Sequence, residues 1–146
     1  MSAYLDTSVL IPTLIAEPST ESVYDYLGAI NQELLISDFA AAEVASALSR
    51  LIRMRLVTDA DASARLADFD AWRAAMSLPV DIRAADARLA YIYVRRFALG
   101  LRAADALHLA IARRLEAALI TLDRRLATAA RELGIAVEVV EVPEAS

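Results

Sequence analysis

Apolar residues along the chain follow two spacings that alternate from one end to the other. Short apolar runs of strand length occupy residues 2–5, 34–37, 78–82, 118–122 and 137–142. Between them, apolar residues recur at helical spacing, which predicts helices near residues 7–16, 20–30, 39–55, 58–76, 83–98, 103–116 and 124–133. Strands that alternate with helices predict an α/β fold. We expect a central, mostly parallel sheet of about four or five short strands, flanked by helices on both faces.

Local start and stop signals support these boundaries. Ser37 and Thr58 precede helical patterns as N-cap residues, and Gly100 and Gly134 follow helical patterns at positions suited to end a helix. No internal repeat, low-complexity stretch or linker interrupts the pattern. We therefore expect residues 1–146 to form a single domain.

The composition bears on the environment of the protein and on its partners. Hydrophobic residues make up 58% of the chain, above the usual range for a soluble domain, and alanine supplies much of that share. Either exposed apolar surface binds a partner or a second copy of the chain, or alanine-rich helices simply inflate the count. The chain has no cysteine, which fits a reducing compartment. Its N-terminal apolar stretch lacks a basic flank and is interrupted by Asp6, so we expect a cytoplasmic protein without a signal peptide or membrane span.

The charge balance limits how the protein could bind nucleic acid. There are 20 acidic residues against 15 basic ones, every basic residue is arginine, and the net charge is -5. This argues against a broad basic face that grips nucleic acid. It is compatible with a metal-dependent nuclease, in which acidic residues gather at the cation and a few arginines hold phosphates. Arginines cluster near residues 50–55 and 95–102, and each group either contacts phosphates or forms a solvated face with nearby acids.

Four acidic residues are candidates for such a cation site. Asp6 and Asp123 each follow a predicted strand, and parallel sheets bind ligands outside the carboxyl ends of their strands, so both should lie at one edge. Glu43 and Asp105 lie in helices among alanines and aliphatic residues, where an ionised carboxylate is costly unless a cation or hydrogen bonds compensate it. Carboxylate oxygens with no nearby lysine suit a hard divalent cation such as Mg²⁺. The reaction class that follows is phosphodiester hydrolysis by a metal-activated water.

The segments that carry these acids resemble, in order and spacing, the PIN-domain ribonucleases, and in particular the VapC-type toxins of bacterial toxin–antitoxin pairs. They are Tyr4-Leu5-Asp6-Thr7-Ser8, Ala42-Glu43-Val44, Arg102-Ala103-Ala104-Asp105-Ala106-Leu107-His108-Leu109-Ala110 and Ile120-Thr121-Leu122-Asp123. The resemblance covers essentially the whole chain. It implies a Mg²⁺-dependent endoribonuclease, with Mn²⁺ as a possible substitute, that is blocked by a small antitoxin protein and is often a homodimer.

The resemblance also implies roles for individual residues. Asp6 and Asp105 match the main metal ligands of that family, and Glu43 and Asp123 match acids that complete the pocket. The resemblance further implies that the hydroxyls of Ser8 and Thr121 orient the carboxylates or the attacking water.

Each acid also has a purely structural interpretation. Asp6 and Asp123 would serve as helix N-caps, Asp105 as a first-turn acid favoured by the helix dipole, and Glu43 as a solvent-facing side chain. His108 shares a helix face with Asp105. A lone histidine on an apolar helix is more often a packed, hydrogen-bonded residue, so we leave it out of the site.

Other functions fit part of the pattern. A phosphatase that uses Asp6 as its nucleophile needs an acid two residues later, where this chain has Ser8, and a phosphoacceptor receiver domain needs a lysine, which the chain lacks. The remaining alternative is a catalytically inert PIN-like module that binds RNA or protein. The presence of all four acids argues against it.

Overall fold

The computed structural model describes residues 1–144 and contains one sheet of five parallel strands in this part of the chain. The strands are β1 (Ala3–Leu5), β2 (Leu34–Ser37), β3 (Ser77–Val80), β4 (Ala118–Thr121) and β5 (Val137–Val139). Their order across the sheet is β3-β2-β1-β4-β5, so the first strand lies in the centre. The predicted α/β architecture and parallel sheet are confirmed.

Seven α-helices connect the strands within the described residues. They are α1 (Thr7–Leu14), α2 (Thr20–Ala29), α3 (Asp38–Arg53), α4 (Asp59–Met76), α5 (Ala84–Val94), α6 (Ala103–Arg114) and α7 (Arg124–Glu132). The side chains of Ser37 and Thr58 cap α3 and α4 as predicted, by accepting hydrogen bonds from the backbone N–H groups of Ala40 and Asp61. Gly134, just after α7, has φ 73, a conformation that glycine adopts at little cost.

The sheet is covered on both faces because side chains alternate between the faces along each strand. Ala3 and Leu5 of β1 pack into a core that includes residues of α1 to α4, whereas Tyr4 packs into a second core with residues of α5 to α7. Leu119, in the neighbouring strand β4, joins Tyr4 on the second face. This two-sided burial explains why the strands read as continuous apolar runs.

Some predicted boundaries differ from the structure. The helix expected over residues 83–98 ends at Val94 and is followed by a separate 3₁₀ turn, Phe97–Leu99, before Gly100 at φ 63. The last strand stops at Val139 instead of reaching residue 142, although the N–H of Val140 still donates to the carbonyl of Thr121. Within residues 1–144, no helix combines the length and apolar character needed to cross a bilayer.

Candidate metal and nuclease site

Two of the predicted site residues leave the sheet from adjacent parallel strands at the same edge. Asp6 directly follows β1, and Asp123 follows β4 after one intervening residue. Leu5 and Ile120 are partners in the register of these strands, and the Asp6 N–H donates to the Ile120 carbonyl at 3.1 Å. The carboxyl ends of β1 and β4 therefore bring together residues that lie more than a hundred positions apart.

Asp6 is held by an array of hydrogen-bond donors. The residue is only 5% exposed. One oxygen accepts from the Ser8 N–H at 2.8 Å, and the other accepts from the Ser8 hydroxyl at 3.0 Å and from the Thr121 hydroxyl. The two hydroxyl oxygens are 3.2 Å apart and accept in turn from the N–H groups of Leu122 and Asp123. This array fixes the Asp6 carboxylate relative to the end of β4.

Asp105 and Asp123 line one small cavity, of about 150 Å³, beside the ends of the two strands. Asp105 lies in the first turn of α6, where one of its oxygens accepts from the Arg102 N–H at 3.3 Å. Burial raises the pKa of Asp105, and the negative charges of Asp123 and Asp6 raise it further. The three aspartates therefore repel one another. Among the described residues, Asp105 forms no ion pair that would relieve this repulsion.

Asp123 has a structural task in addition to its position in the cavity. One of its oxygens accepts from the N–H groups of Arg125 at 2.9 Å and Leu126 at 3.2 Å, which caps the N-terminus of α7. Asp123 is therefore a helix N-cap, as its structural interpretation predicts, and this role involves only one of its two oxygens. The second oxygen makes no hydrogen bond to any of residues 1–144 and is available to a ligand.

Glu43 is placed differently from the three aspartates. One of its oxygens accepts from the Thr7 hydroxyl at 2.6 Å and from Nε2 of His108. Burial tends to raise the pKa of Glu43, but the hydrogen bonds from His108 and Thr7 outweigh it, so this pKa is lowered. Glu43 is therefore tied to the residue next to Asp6, although it does not line the cavity of Asp105 and Asp123.

His108 is a packed, hydrogen-bonded side chain, as its surroundings in the sequence indicate. It is 3% exposed, and Nδ1 lies 2.6 Å from the Tyr4 hydroxyl. Its contact with Glu43 was not expected, because the two residues are separated by 65 positions and nothing in either local sequence links them.

The donor set fits a hard cation, although the side chains do not form a ready cage. Among residues 1–144, no three histidine, cysteine, aspartate or glutamate side chains are arranged closely enough to chelate an ion as they stand. The available ligands are carboxylate oxygens, which Mg²⁺ and Mn²⁺ prefer. A cation here would also relieve the repulsion that raises the pKa of Asp105.

Comparisons with known proteins agree with this fold. The sequence matches the family described as PIN domain over residues 3–132. Ribonuclease VapC46 of Mycobacterium tuberculosis is 33% identical over 137 residues, which cover 92% of this chain and 94% of the relative. The chain therefore belongs to the PIN domain family, as a homologue of the VapC ribonucleases. The resemblance inferred from the four acidic segments is confirmed.

Solved structures support the same fold at lower sequence identity. The DNA-bound VapBC of Salmonella typhimurium matches with a TM-score of 0.72 and 16% identity, over 97% of this chain and 99% of that chain. VapC20 of M. tuberculosis, a toxin that cleaves the sarcin–ricin loop, matches with a TM-score of 0.70 and 16% identity, over 88% of this chain and 95% of that chain. Several of the matching structures are toxin–antitoxin complexes.

Proposed function

We propose that the chain is a Mg²⁺-dependent endoribonuclease that acts in the cytoplasm as the toxin of a type II toxin–antitoxin system. The observation that carries the proposal is the convergence of Asp6, Asp105 and Asp123 at the carboxyl ends of β1 and β4, where the pKa of Asp105 is raised by burial and by its acidic neighbours. Such a cluster is costly unless a cation or a proton compensates it.

The four acids have distinct parts in the proposal. Asp6, Asp105 and Asp123 would hold the cation, with Glu43 at the side of Asp6 completing the acidic pocket. When bound, a divalent ion neutralises charge on the scissile phosphate and lowers the pKa of an attacking water. The Ser8 and Thr121 hydroxyls keep the Asp6 carboxylate in one orientation, so that this ligand does not have to be ordered when substrate arrives.

Two arginines at the cavity are suited to bind RNA phosphates. Arg102 and Arg125 line the cavity of Asp105 and Asp123, and both arginines are exposed. The Arg125 side chain reaches over the loop at Gly100, where the positive φ of 63 favours glycine. Arg102 and Arg125 would hold the phosphates on either side of the cut bond. Because the net charge of the protein is -5, attraction of RNA depends on a few local arginines of this kind.

An antitoxin partner fits a groove on the α1, α2 and α4 side of the protein. The groove has a volume of about 510 Å³, and its lining is mostly apolar, with Leu14, Leu27, Phe69 and Trp72 among the residues that form it. An amphipathic helix of the antitoxin would cover this apolar surface, and a separate segment of the antitoxin would bring a basic side chain into the acidic pocket in place of the cation. Trp72 is the only tryptophan, so binding of the partner should change its fluorescence.

The proposed homodimer would use other apolar surface. Phe97 is 86% exposed and Tyr91 is 65% exposed, which is unusual for large side chains on a monomer. Sedimentation of the purified chain would show whether it is a dimer.

The nuclease proposal is tested with purified protein free of any antitoxin. We expect cleavage of structured RNA in Mg²⁺, inhibition by EDTA, and loss of cleavage in Asp6→Asn and in Asp105→Asn. Asp86→Asn is the matched control, because Asp86 has the same neighbouring residues in the sequence as Asp105 but lies outside the cavity. If folded Asp6→Asn and Asp105→Asn cut as fast as the wild type, the assignment is wrong. A wild type that binds Mn²⁺ no better than Asp6→Asn would favour the inert binding module.

A further inference from the structure

A chain of buried hydrogen bonds runs from the end of β2 to Glu43. The Ser37 hydroxyl oxygen lies 2.8 Å from the Tyr4 hydroxyl, which in turn lies 2.6 Å from Nδ1 of His108. Nε2 of His108 contacts Oε1 of Glu43. These hydrogen bonds therefore join three elements, β1, β2 and α6, to a carboxylate on α3.

Glu43 accepts hydrogen bonds on one oxygen only. Oε1 receives the Thr7 hydroxyl at 2.6 Å and Nε2 of His108, whereas Oε2 has no hydrogen-bond partner among residues 1–144. The Glu43 side chain is 29% exposed, so Oε2 is the oxygen open to solvent or to a ligand. Neither donor to Oε1 is an arginine, so the carboxylate is oriented without a permanent positive partner.

The imidazole of His108 packs against two aromatic rings. The Phe39 ring lies 5.1 Å from the imidazole, measured between ring centroids, and the Tyr4 ring lies 5.6 Å from it. An ionised carboxylate has no hydrogen to donate, so the contact between His108 and Glu43 requires a hydrogen on Nε2. Nδ1 then lacks a hydrogen in the neutral ring and accepts from the Tyr4 hydroxyl, which lies 2.6 Å away.

We propose that His108 is a positioning residue for the nuclease reaction, which donates from Nε2 to Glu43 and, together with Thr7, directs the free oxygen of Glu43 to the acidic edge of the sheet. This inference rests on the proposed function, because the orientation of the free Glu43 oxygen matters only if the acidic edge binds a cation. His108 touches neither substrate nor cation in this scheme and acts only through Glu43. Partners of this kind behind metal ligands are worth about 10- to 100-fold in metal affinity or activity.

Two amide variants separate the two ring nitrogens. In His108→Gln the side-chain amide nitrogen reaches the position of Nε2, and in His108→Asn it reaches only the position of Nδ1. We expect His108→Asn to lower kcat by about 10- to 100-fold and to raise the Mg²⁺ concentration needed for half-maximal rate, with the KM for RNA unchanged. His108→Gln should recover most of that loss. If His108 only fills space, the two variants should lose activity in proportion to their loss of folded protein, and the Mg²⁺ requirement should not move.

A second pair of variants tests the other hydrogen-bond donor to Glu43, the hydroxyl of Thr7, which is less buried than His108. Thr7→Val keeps the shape of the side chain and removes the hydroxyl that donates to Glu43, whereas Thr7→Ser keeps the hydroxyl. We expect Thr7→Val to raise the Mg²⁺ requirement in the same sense as His108→Asn, and Thr7→Ser to restore it. A Thr7→Val variant with the wild-type Mg²⁺ requirement would overturn the proposal even if the His108 variants fail to fold.

Nitrogen NMR of the imidazole gives a readout that does not depend on cleavage. The chain contains one histidine, so ¹⁵N-histidine labelling reports on His108 alone. We expect Nε2 to carry a hydrogen and its resonance to shift in Glu43→Gln. A ring without a hydrogen on Nε2, or a resonance that is unchanged in Glu43→Gln, would overturn the positioning role. A wild type that fails to cut any RNA would instead refute the proposed function, while the NMR result would still decide whether His108 holds Glu43.

Discussion

Two helices of the protein start within the same five-residue sequence, Arg-Ala-Ala-Asp-Ala, and their aspartates should respond in opposite ways to the same substitution. Asp86 in α5 and Asp105 in α6 both accept from the backbone N–H of the arginine that precedes the helix, at 2.9 and 3.3 Å. Asp86→Asn should destabilise the fold and spare RNA cleavage. Asp105→Asn should abolish cleavage and spare the fold.

The expected cost at Asp86 follows from its ion pair. The carboxylate is 2% exposed and accepts from Nε of Arg114 at 2.8 Å and from Nη2 at 2.9 Å. Removing one partner of a buried pair costs about 3–5 kcal/mol. Arg114 is 18% exposed and keeps a hydrogen bond to the Asp81 carbonyl at 2.9 Å, and asparagine retains one acceptor oxygen. We therefore expect a loss of roughly 2 kcal/mol, which for a chain of this length lowers Tm by about 4–8 °C.

Asp105→Asn should behave differently because its carboxylate has no such partner. Burial, then the charges of Asp123 and Asp6, raise the pKa of Asp105, so its ionised form is disfavoured in the folded protein when no cation is bound. An asparagine at this position removes the repulsion. In EDTA the variant should unfold at the wild-type temperature or slightly above it.

The pH dependence gives the two aspartates opposite signs. Burial alone would raise the pKa of Asp86, but the hydrogen bonds from Arg114 lower it overall. A lowered pKa stabilises the fold while the group is ionised, so the wild type should be more stable than Asp86→Asn at pH 7 and lose that advantage as pH falls below about 4. The raised pKa of Asp105 has the reverse effect. In EDTA the wild type should gain stability relative to Asp105→Asn as pH falls through that raised value.

Calorimetry in EDTA and an RNA cleavage assay in Mg²⁺ measure both properties on the same preparations. Urea unfolding at several pH values supplies the differences in free energy of unfolding. Loss of cleavage by folded Asp86→Asn would refute the reasoning, because it would give the ion pair a role in the reaction. A destabilisation by Asp105→Asn as large as that by Asp86→Asn would also refute it.

Three further predictions concern single groups. The Tyr93 hydroxyl is buried near the Arg113 guanidinium but makes no well-formed hydrogen bond among residues 1–144, so Tyr93→Phe should change the free energy of unfolding by less than about 1 kcal/mol, and a larger loss in urea unfolding would contradict this. Mg²⁺ at a hundred times its Kd should stabilise the wild type by about 2.7 kcal/mol and Asp6→Asn by much less, and equal thermal shifts would place the cation elsewhere. Thr121→Val should lower cleavage by about 10- to 100-fold because it frees the Asp6 carboxylate, and Thr121→Ser should restore it; a fully active Thr121→Val would show that the hydroxyl is dispensable.

Much of the fold was predictable because its signals are local. Buried parallel strands read as apolar runs, and helix starts such as Ser37 and Thr58 carry their capping oxygen in the sequence. The convergence of Asp6 and Asp123 also follows from a general property of parallel sheets. The early end of α5 at Val94 was not predictable in this way, since no glycine or proline precedes Gly100 in that segment.

The electrostatic difference between Asp86 and Asp105 could not be predicted from their surroundings in the sequence. Both have the same neighbours on either side. Asp86 is neutralised by Arg114, which is 28 positions away, whereas Asp105 faces the carboxylate of Asp123 across the cavity. The only signal in the sequence was that the same five residues occur twice, which shows that this local pattern alone cannot identify a site residue.

The central position of β1 determines when the acidic edge forms during synthesis. Residues 3–5 leave the ribosome early, but their partner β4 begins at Ala118. A nascent polypeptide that ends before this point carries Asp6 without the hydroxyl of Thr121 or the carboxylate of Asp123. Only a chain that has been synthesised beyond Asp123 therefore possesses the complete acidic edge, so the ribonuclease site cannot assemble while the first four strands and their helices are still being made.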